Sequence, residues 1–171
     1  MISVALLRGI NVGGNHQMPM ADLTQWLLTA GFVSVSTYIQ SGNVILEHAA
    51  RVKVATIVRD AIAKNTGWEI PVLVRSSSEL SRIVEANPYP GAEPSRLHVS
   101  FLDTAPDVAS ITAARSNNWE PEEYTVDGRE IYLHLPEGMG RSVMVPKLKL
   151  LKGATTRNWN TVLALSELVA R

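Results

Sequence analysis

Cysteine is absent from all 171 residues of this chain. Disulfides, thiolate nucleophiles and cysteine-ligated zinc or iron–sulfur centres are therefore excluded, and any metal would fall to histidine and carboxylates. The four histidines, His16, His48, His98 and His134, show no metal-motif spacing, so no metal site is expected. No run of about 18 apolar residues occurs, which argues against a membrane partner. The only early arginine, Arg8, follows the first apolar stretch, the reverse of a secretory layout, and a cytoplasmic location is expected. Aromatic residues are scarce at 6%, and the formal net charge is zero. Duplex-DNA binding needs a surplus of Lys and Arg, and single-strand binding on a sheet needs stacking aromatics on its central strands. A nucleic-acid partner is accordingly disfavoured, and no cofactor is implied.

What is present suits a compact chain. With 46% hydrophobic and 19% charged residues, 171 positions suffice for a core burying roughly 70% of the unfolded surface. Ile2, Val4 and Leu6 form a short apolar run that Arg8 and Gly9 end, which predicts a strand over about 2–8. Leu23, Trp26, Leu27 and Ala30 recur at helical spacing before Gly31. Val33, Val35, Thr37 and Ile39 alternate, and Val44 to Leu46 resume after a Gly-bearing link, giving a hairpin. Val54, Val58, Ala61 and Ile62 mark a second helix stopped near Gly67, and Ile70 to Val74 supply a closing strand. The order is βαββαβ.

Ser76 with Glu79 fits a capping box and predicts a linker helix over about 77–85, ending at the Asn87-Pro88-Tyr89-Pro90-Gly91 breaker. Beyond it the order restarts. Leu97, Val99 and Phe101 read as a strand, Asp107 opens a helix through about Arg115, and Asp127-Gly128 joins two strands. A helix over about 141–151, bent or delayed by Pro146, a short strand over 154–157 and a C-terminal helix would complete the second pass. The fold class expected is α+β, with two ferredoxin-like (βαββαβ, alpha-beta plait) subdomains and antiparallel sheets. Its domains would be residues 1–76, a linker helix and breaker over 77–91, and a second subdomain with the C-terminal helix over 92–171.

Charge is unevenly placed, at +2 for residues 1–78, −6 for 79–130 and +4 for 131–171. Lys147, Lys149, Lys152 and Arg157 could form a basic patch, although solvated helix-face charges give the same pattern. His98 and His134, each out of phase with its strand, could stand side by side on a polar sheet face as exposed residues. Glu122 and Glu123 are adjacent, so on a strand they would diverge and could not act as a carboxylate pair. Neither a catalytic base nor a nucleophile can be named from the sequence.

Three segments exceed ordinary turn chemistry in Gly, Asn and aromatic content: Leu7 to Asn15, Thr37 to Asn43 and Ala154 to Thr161. In this combination and order they resemble the domain of unknown function 1697 family. The resemblance spans nearly the whole chain. It implies a duplicated ferredoxin-like architecture and a bacterial, cytoplasmic origin, and it implies no particular activity. The family pattern carries lysine where this chain has Asn15, Gln17 and Val143.

Each segment has two readings. Gly9, Gly13 and Gly14 lie between a strand and a helix, where backbone amides could cradle an anion, yet Asn15 and His16 replace the Lys and Ser/Thr of a phosphate loop. The competing reading is that glycine permits positive φ in a tight crossover and serves nothing else. Gln40 to Asn43 is explained as a turn, with Tyr38 a candidate stacking ring. Asn158, Asn160 and Thr161 are good N-caps and Trp159 a staple, while Arg157 could hold a carboxylate or phosphate. The candidate ligand-binding residues are Arg8, Asn11, Gly13, Gly14, Asn15, Tyr38, Gln40, Asn43, Arg157 and Asn158, with Arg8, Asn11, Asn15 and Arg157 lining one cleft for a small anionic ligand. The functional expectation is a small-ligand or anion-binding module with no assignable reaction. The competing expectation is a non-catalytic structural or interaction protein.

Overall fold

The computed structural model of the protein describes residues 1–170. Two compact units divide it: Met1–Ser81 with the chain from Leu165 onward, and Arg82–Ala164.

In the first unit, β1 (Ile2–Leu7), β2 (Ser34–Tyr38), β3 (Asn43–Glu47) and β4 (Val72–Ser76) pair in the order β2-β3-β1-β4, all neighbours antiparallel. The helices α1 (Met20–Thr29) and α2 (Val54–Thr66) deliver Leu23, Leu27, Val58 and Ile62 onto the face that carries Ala5, Leu7, Val44 and Leu46. Full burial of each large aliphatic side chain contributes about 1.5–3 kcal/mol. The opposite face is also buried, with Val4 and Leu6 fully covered, so Val4 to Leu7 is a continuous apolar run instead of alternating, and Ser3 is the one polar residue of β1. Gly67 stops α2 at φ +75°. Pro71 has no amide to donate, and β4 begins one residue after it, two residues beyond the start that the sequence suggests.

The helix α3 (Ser77–Glu85) starts on the predicted capping box: the Ser76 amide donates to Glu79 at 2.8 Å and the Glu79 amide to the Ser76 hydroxyl at 3.2 Å.

The second unit holds β5 (Leu97–Phe101), α4 (Val108–Ala114), β6 (Glu123–Asp127), β7 (Glu130–His134) and β8 (Thr155–Asn158), in the sheet order β6-β7-β5-β8. The Asp107 carboxylate caps α4 by accepting from the Ser110 amide at 2.7 Å. The last helix, α5 (Trp159–Val169), follows β8 directly. The strand order repeats that of the first unit. Arg75 stands opposite Val4 in the first sheet and Arg157 opposite Val99 in the second, so each closing strand buries an arginine against the same position of the opening strand. These two antiparallel sheets with their helices form an α+β protein of ferredoxin-like architecture.

Three expectations are corrected. No α-helix spans 141–151; two short 3₁₀ turns, Met139–Arg141 and Lys149–Leu151, flank an irregular stretch. Pro146 cannot donate and restricts Val145, while the Glu122 carboxylate binds the Ser142 hydroxyl and the Val143 amide (2.8 Å), taking up groups a helix would have used. His98 and His134 do not stand together. His98 is opposite Leu133 and His134 opposite Leu97, which puts the two rings on opposite faces. His98 is also buried rather than exposed. Finally, Trp159 lies inside the first turn of α5 rather than before its cap. The cap is Asn158, whose side-chain oxygen accepts from the Asn160 amide at 2.9 Å.

Candidate functional site

Eight of the ten candidate residues fall on the first unit, at the end of its sheet where β1 and β2 finish and β3 begins. There the loop after β1 folds into a small hairpin of its own. The Asn15 amide donates to the Val12 carbonyl at 3.1 Å and the Asn11 amide to His16 at 3.2 Å, leaving Gly13 and Gly14 at the tip with φ of +59° and +78°. A tip with both central residues at positive φ suits a right-twisted hairpin, and glycine adopts it without a Cβ clash. The glycines therefore form a turn of their own and do not lead into the N-terminus of α1, from which five residues separate them.

Asn11 is the clamp of this region. Its side-chain nitrogen donates to the Met18 and Gln40 carbonyls, both at 2.9 Å, and its oxygen accepts from the Met18 amide at 2.7 Å. All three bonds are internal. Asn43 is fully buried and donates to the Tyr38 carbonyl at 3.1 Å and the Ser41 hydroxyl at 3.0 Å. Tyr38 is half-buried and in register with Asn43 and Leu6, on the face away from the α1–α2 core. Arg8, Gly13, Gly14, Asn15 and the Gln40 side chain remain exposed. Ile39, a β-branched residue, is held at φ +50° and is 52% exposed. Such a conformation costs of order 1–3 kcal/mol and persists only where its surroundings enforce it. Here the first two unusual segments come together.

The third segment lies in the second unit. Arg157 is 8% exposed and donates to the Thr155 hydroxyl at 2.7 Å and the Thr156 carbonyl at 3.0 Å. Burial pushes its guanidinium down to about 10. Asn158 has its oxygen committed to capping α5.

A cleft of the second unit, about 670 Å³, was not foreseen as a cavity. It lies between α4 and the segment of Lys147 to Gly153, and Leu102, Trp119, Leu148 and Leu150 give it an apolar floor. Lys147, Lys149 and Lys152 stand on its rim with Asp103 and Asp107. Of these carboxylates, Asp107 is occupied with the amide of Ser110, which holds it below the usual carboxylate range. The Trp119 indole N–H is buried and meets no acceptor among the described residues. The lysine triad was legible as a basic cluster, but Arg157 does not belong to it, and the helix expected there would have hidden the cleft. A pocket of this size with an apolar floor and few charged groups suits a drug-sized organic anion. Among the described residues no group of three His, Asp or Glu side chains could hold a metal ion. No helix among them is long and apolar enough to cross a membrane.

Fold and site thus define a two-sheet α+β protein with a sizeable lysine-rimmed cleft in its second unit. The family described as Protein of unknown function (DUF1697) matches residues 1–132, and the chain belongs to that family. Among solved structures it is similar to the conserved bacterial protein SP0830 from Streptococcus pneumoniae, with a TM-score of 0.79 and 21% identity over 99% of this chain and 98% of that one. That likeness concerns the fold. No curated protein matches the chain.

Proposed function

We propose that the protein binds a small organic anion in the cleft of its second unit. The carrying observation is the convergence of Lys147, Lys149 and Lys152 on the rim of a cavity floored by Trp119, Leu148 and Leu150. Three ammonium groups favour a phosphate or carboxylate, and the apolar floor of Trp119, Leu148 and Leu150 favours a ring or short chain attached to it. A thermal-shift screen across nucleotides, sugar phosphates and aryl carboxylates tests this, since a ligand at about 100 times its dissociation constant adds roughly 2.7 kcal/mol of stability. Lys147→Ala with Lys149→Ala should abolish the shift. Silence of the wild-type protein across the panel would refute the reading.

The exposed Arg8, Gly13, Gly14, Asn15 and Gln40 are a second surface, and the strained Ile39 beside them favours an interaction role for it. The matched strand orders and the paired buried arginines support an origin of the two units by duplication. A bacterial, cytoplasmic protein is consistent with the family and the composition.

A further inference from the structure

Ser3 and His48 are 45 residues apart in sequence, yet the Ser3 hydroxyl oxygen lies 3.0 Å from His48 Nε2. The other ring nitrogen, Nδ1, lies 2.8 Å from the Ala49 carbonyl oxygen. A carbonyl can only accept, so Nδ1 carries the proton, and in the neutral ring Nε2 is a bare acceptor aimed at the serine hydroxyl. Phe32 meets the ring edge-on at 6.4 Å and fixes its plane. This is the arrangement of an activated serine: nucleophile, base, and a third group holding the base in the useful tautomer.

The pair opens onto a cavity of about 340 Å³ that Val52, Val54, Ala55 and Thr56 also line. The last three belong to the first turn of α2, which no side chain caps. Among the described residues the amides of Ala55 and Thr56 meet no acceptor. Two unengaged N–H groups at the positive end of a 13-residue helix, lining the same cavity as the serine, are suited to an oxyanion.

We propose that Ser3 and His48 form a nucleophile and general base for acyl transfer from small carboxylic esters, at a site independent of the cleft in the second unit. The Ser3 oxygen attacks the acyl carbonyl carbon, its proton passes to His48 Nε2, and the carbonyl π electrons move onto oxygen, facing the amides of Ala55 and Thr56. As the tetrahedral centre collapses, the ester C–O bond breaks and His48 gives its proton to the departing alcohol. Water then attacks the acyl-serine, losing a proton to His48, and the carboxylic acid departs as Ser3 recovers its hydrogen. Val52, Val54 and Val74 line part of the cavity beside Lys53, Ser76 and Glu79, and its small volume restricts the acyl group to a short chain. The Ala49 carbonyl acts only as a positioning group.

The test treats the full-length protein with a small fluorophosphonate and with p-nitrophenyl acetate. Expected are a single phosphonyl adduct mapped by peptide mass spectrometry to Ser3, and release of nitrophenolate. Ser3→Ala should lose both, and His48→Gln, which keeps a hydrogen-bonding side chain but no base, should slow labelling by on the order of 100-fold or more. The adduct map needs no variant, so it decides the matter even if a substitution impairs folding. No adduct on the folded wild-type protein, or an adduct on another residue with ester cleavage unchanged in Ser3→Ala, would overturn the proposal.

Discussion

The Asn11 side-chain nitrogen lies 2.9 Å from the Gln40 carbonyl oxygen, tying the loop after β1 to the β2–β3 hairpin 29 residues away. With its two bonds to Met18, the residue satisfies three backbone groups at once, and it does so at φ +52°, which asparagine tolerates better than most residues. Asn11→Ala should therefore destabilise the protein by about 2–4 kcal/mol. In thermal denaturation that is a drop of roughly 5–10 °C. Asn11→Asp should do no better, because a carboxylate oxygen would face the Met18 and Gln40 carbonyls in place of the donor. An Asn11→Asp protein as stable as the parent would contradict this account of the clamp.

Gly42 and Gly9 share a left-handed backbone, at φ of +81° and +72°, but not a neighbourhood. A Cβ on Gly42 would lie 2.9 Å from Leu7 Cβ and 3.0 Å from the Ile10 side chain, whereas one on Gly9 would meet nothing within 4 Å. Both substitutions to alanine carry the left-handed penalty of about 1–2 kcal/mol. Only Gly42→Ala adds overpacking of roughly 1–3 kcal/mol. Urea denaturation of the two variants should show that difference, and equal losses would mean that backbone conformation alone accounts for Gly42.

Glu122 precedes β6 and, through the Ser142 hydroxyl and the Val143 amide, fastens the stretch that leads four residues later into the lysine-bearing wall of the cleft. Charge-assisted bonds of this kind contribute more than neutral ones. Replacing it by alanine should loosen the segment that carries Lys147, Lys149 and Lys152, costing about 1–3 kcal/mol. It should also weaken any anion found by the ligand screen without removing a group that touches it. Hydrogen exchange over residues 142–153 measures the loosening directly; protection unchanged from the wild type would count against the role given to Glu122.

The same carboxylate shows where sequence reading stopped. Elements specified by their own neighbours were legible: the 3.6-residue apolar period of α2, the Ser76–Glu79 capping box and the Asp127-Gly128 turn each depend on residues at most a few positions apart. The 141–151 segment was misread because the competing partner for its backbone, Glu122, lies 20 residues upstream of Ser142. His98 and His134 were misplaced because facing depends on strand register, and an offset of one residue reverses every side chain. The clustering of the first two unusual segments was only partly visible. Composition marked Asn11 and Gln40, but not that Asn11 would commit its whole side chain to the backbone. Ser3 and His48 carried no local signal at all, since only the pairing of β1 with β3 brings them together.

His98 offers a test of the second sheet that runs through pH. Its ring is buried, its Nδ1 has no partner among the described residues, and the residues opposite it, Leu133 on β7 and Asn158 on β8, bear no charge. Burial lowers its pKa below the ordinary 6.5. The unfolded chain then binds this proton more readily than the folded one, so the stability linked to His98 is complete above about pH 6.5 and declines as pH falls from there toward the lowered folded value. Below that value the loss levels off, because both states are protonated. Replacing His98 by leucine removes the titrating group from an apolar surrounding and should flatten this part of the profile, leaving the variant relatively more stable at pH 5 than at pH 8 when each is compared with the parent. Urea unfolding across that range reads the effect, and parallel profiles for the two proteins would show that the His98 ring can take up its proton without leaving the fold.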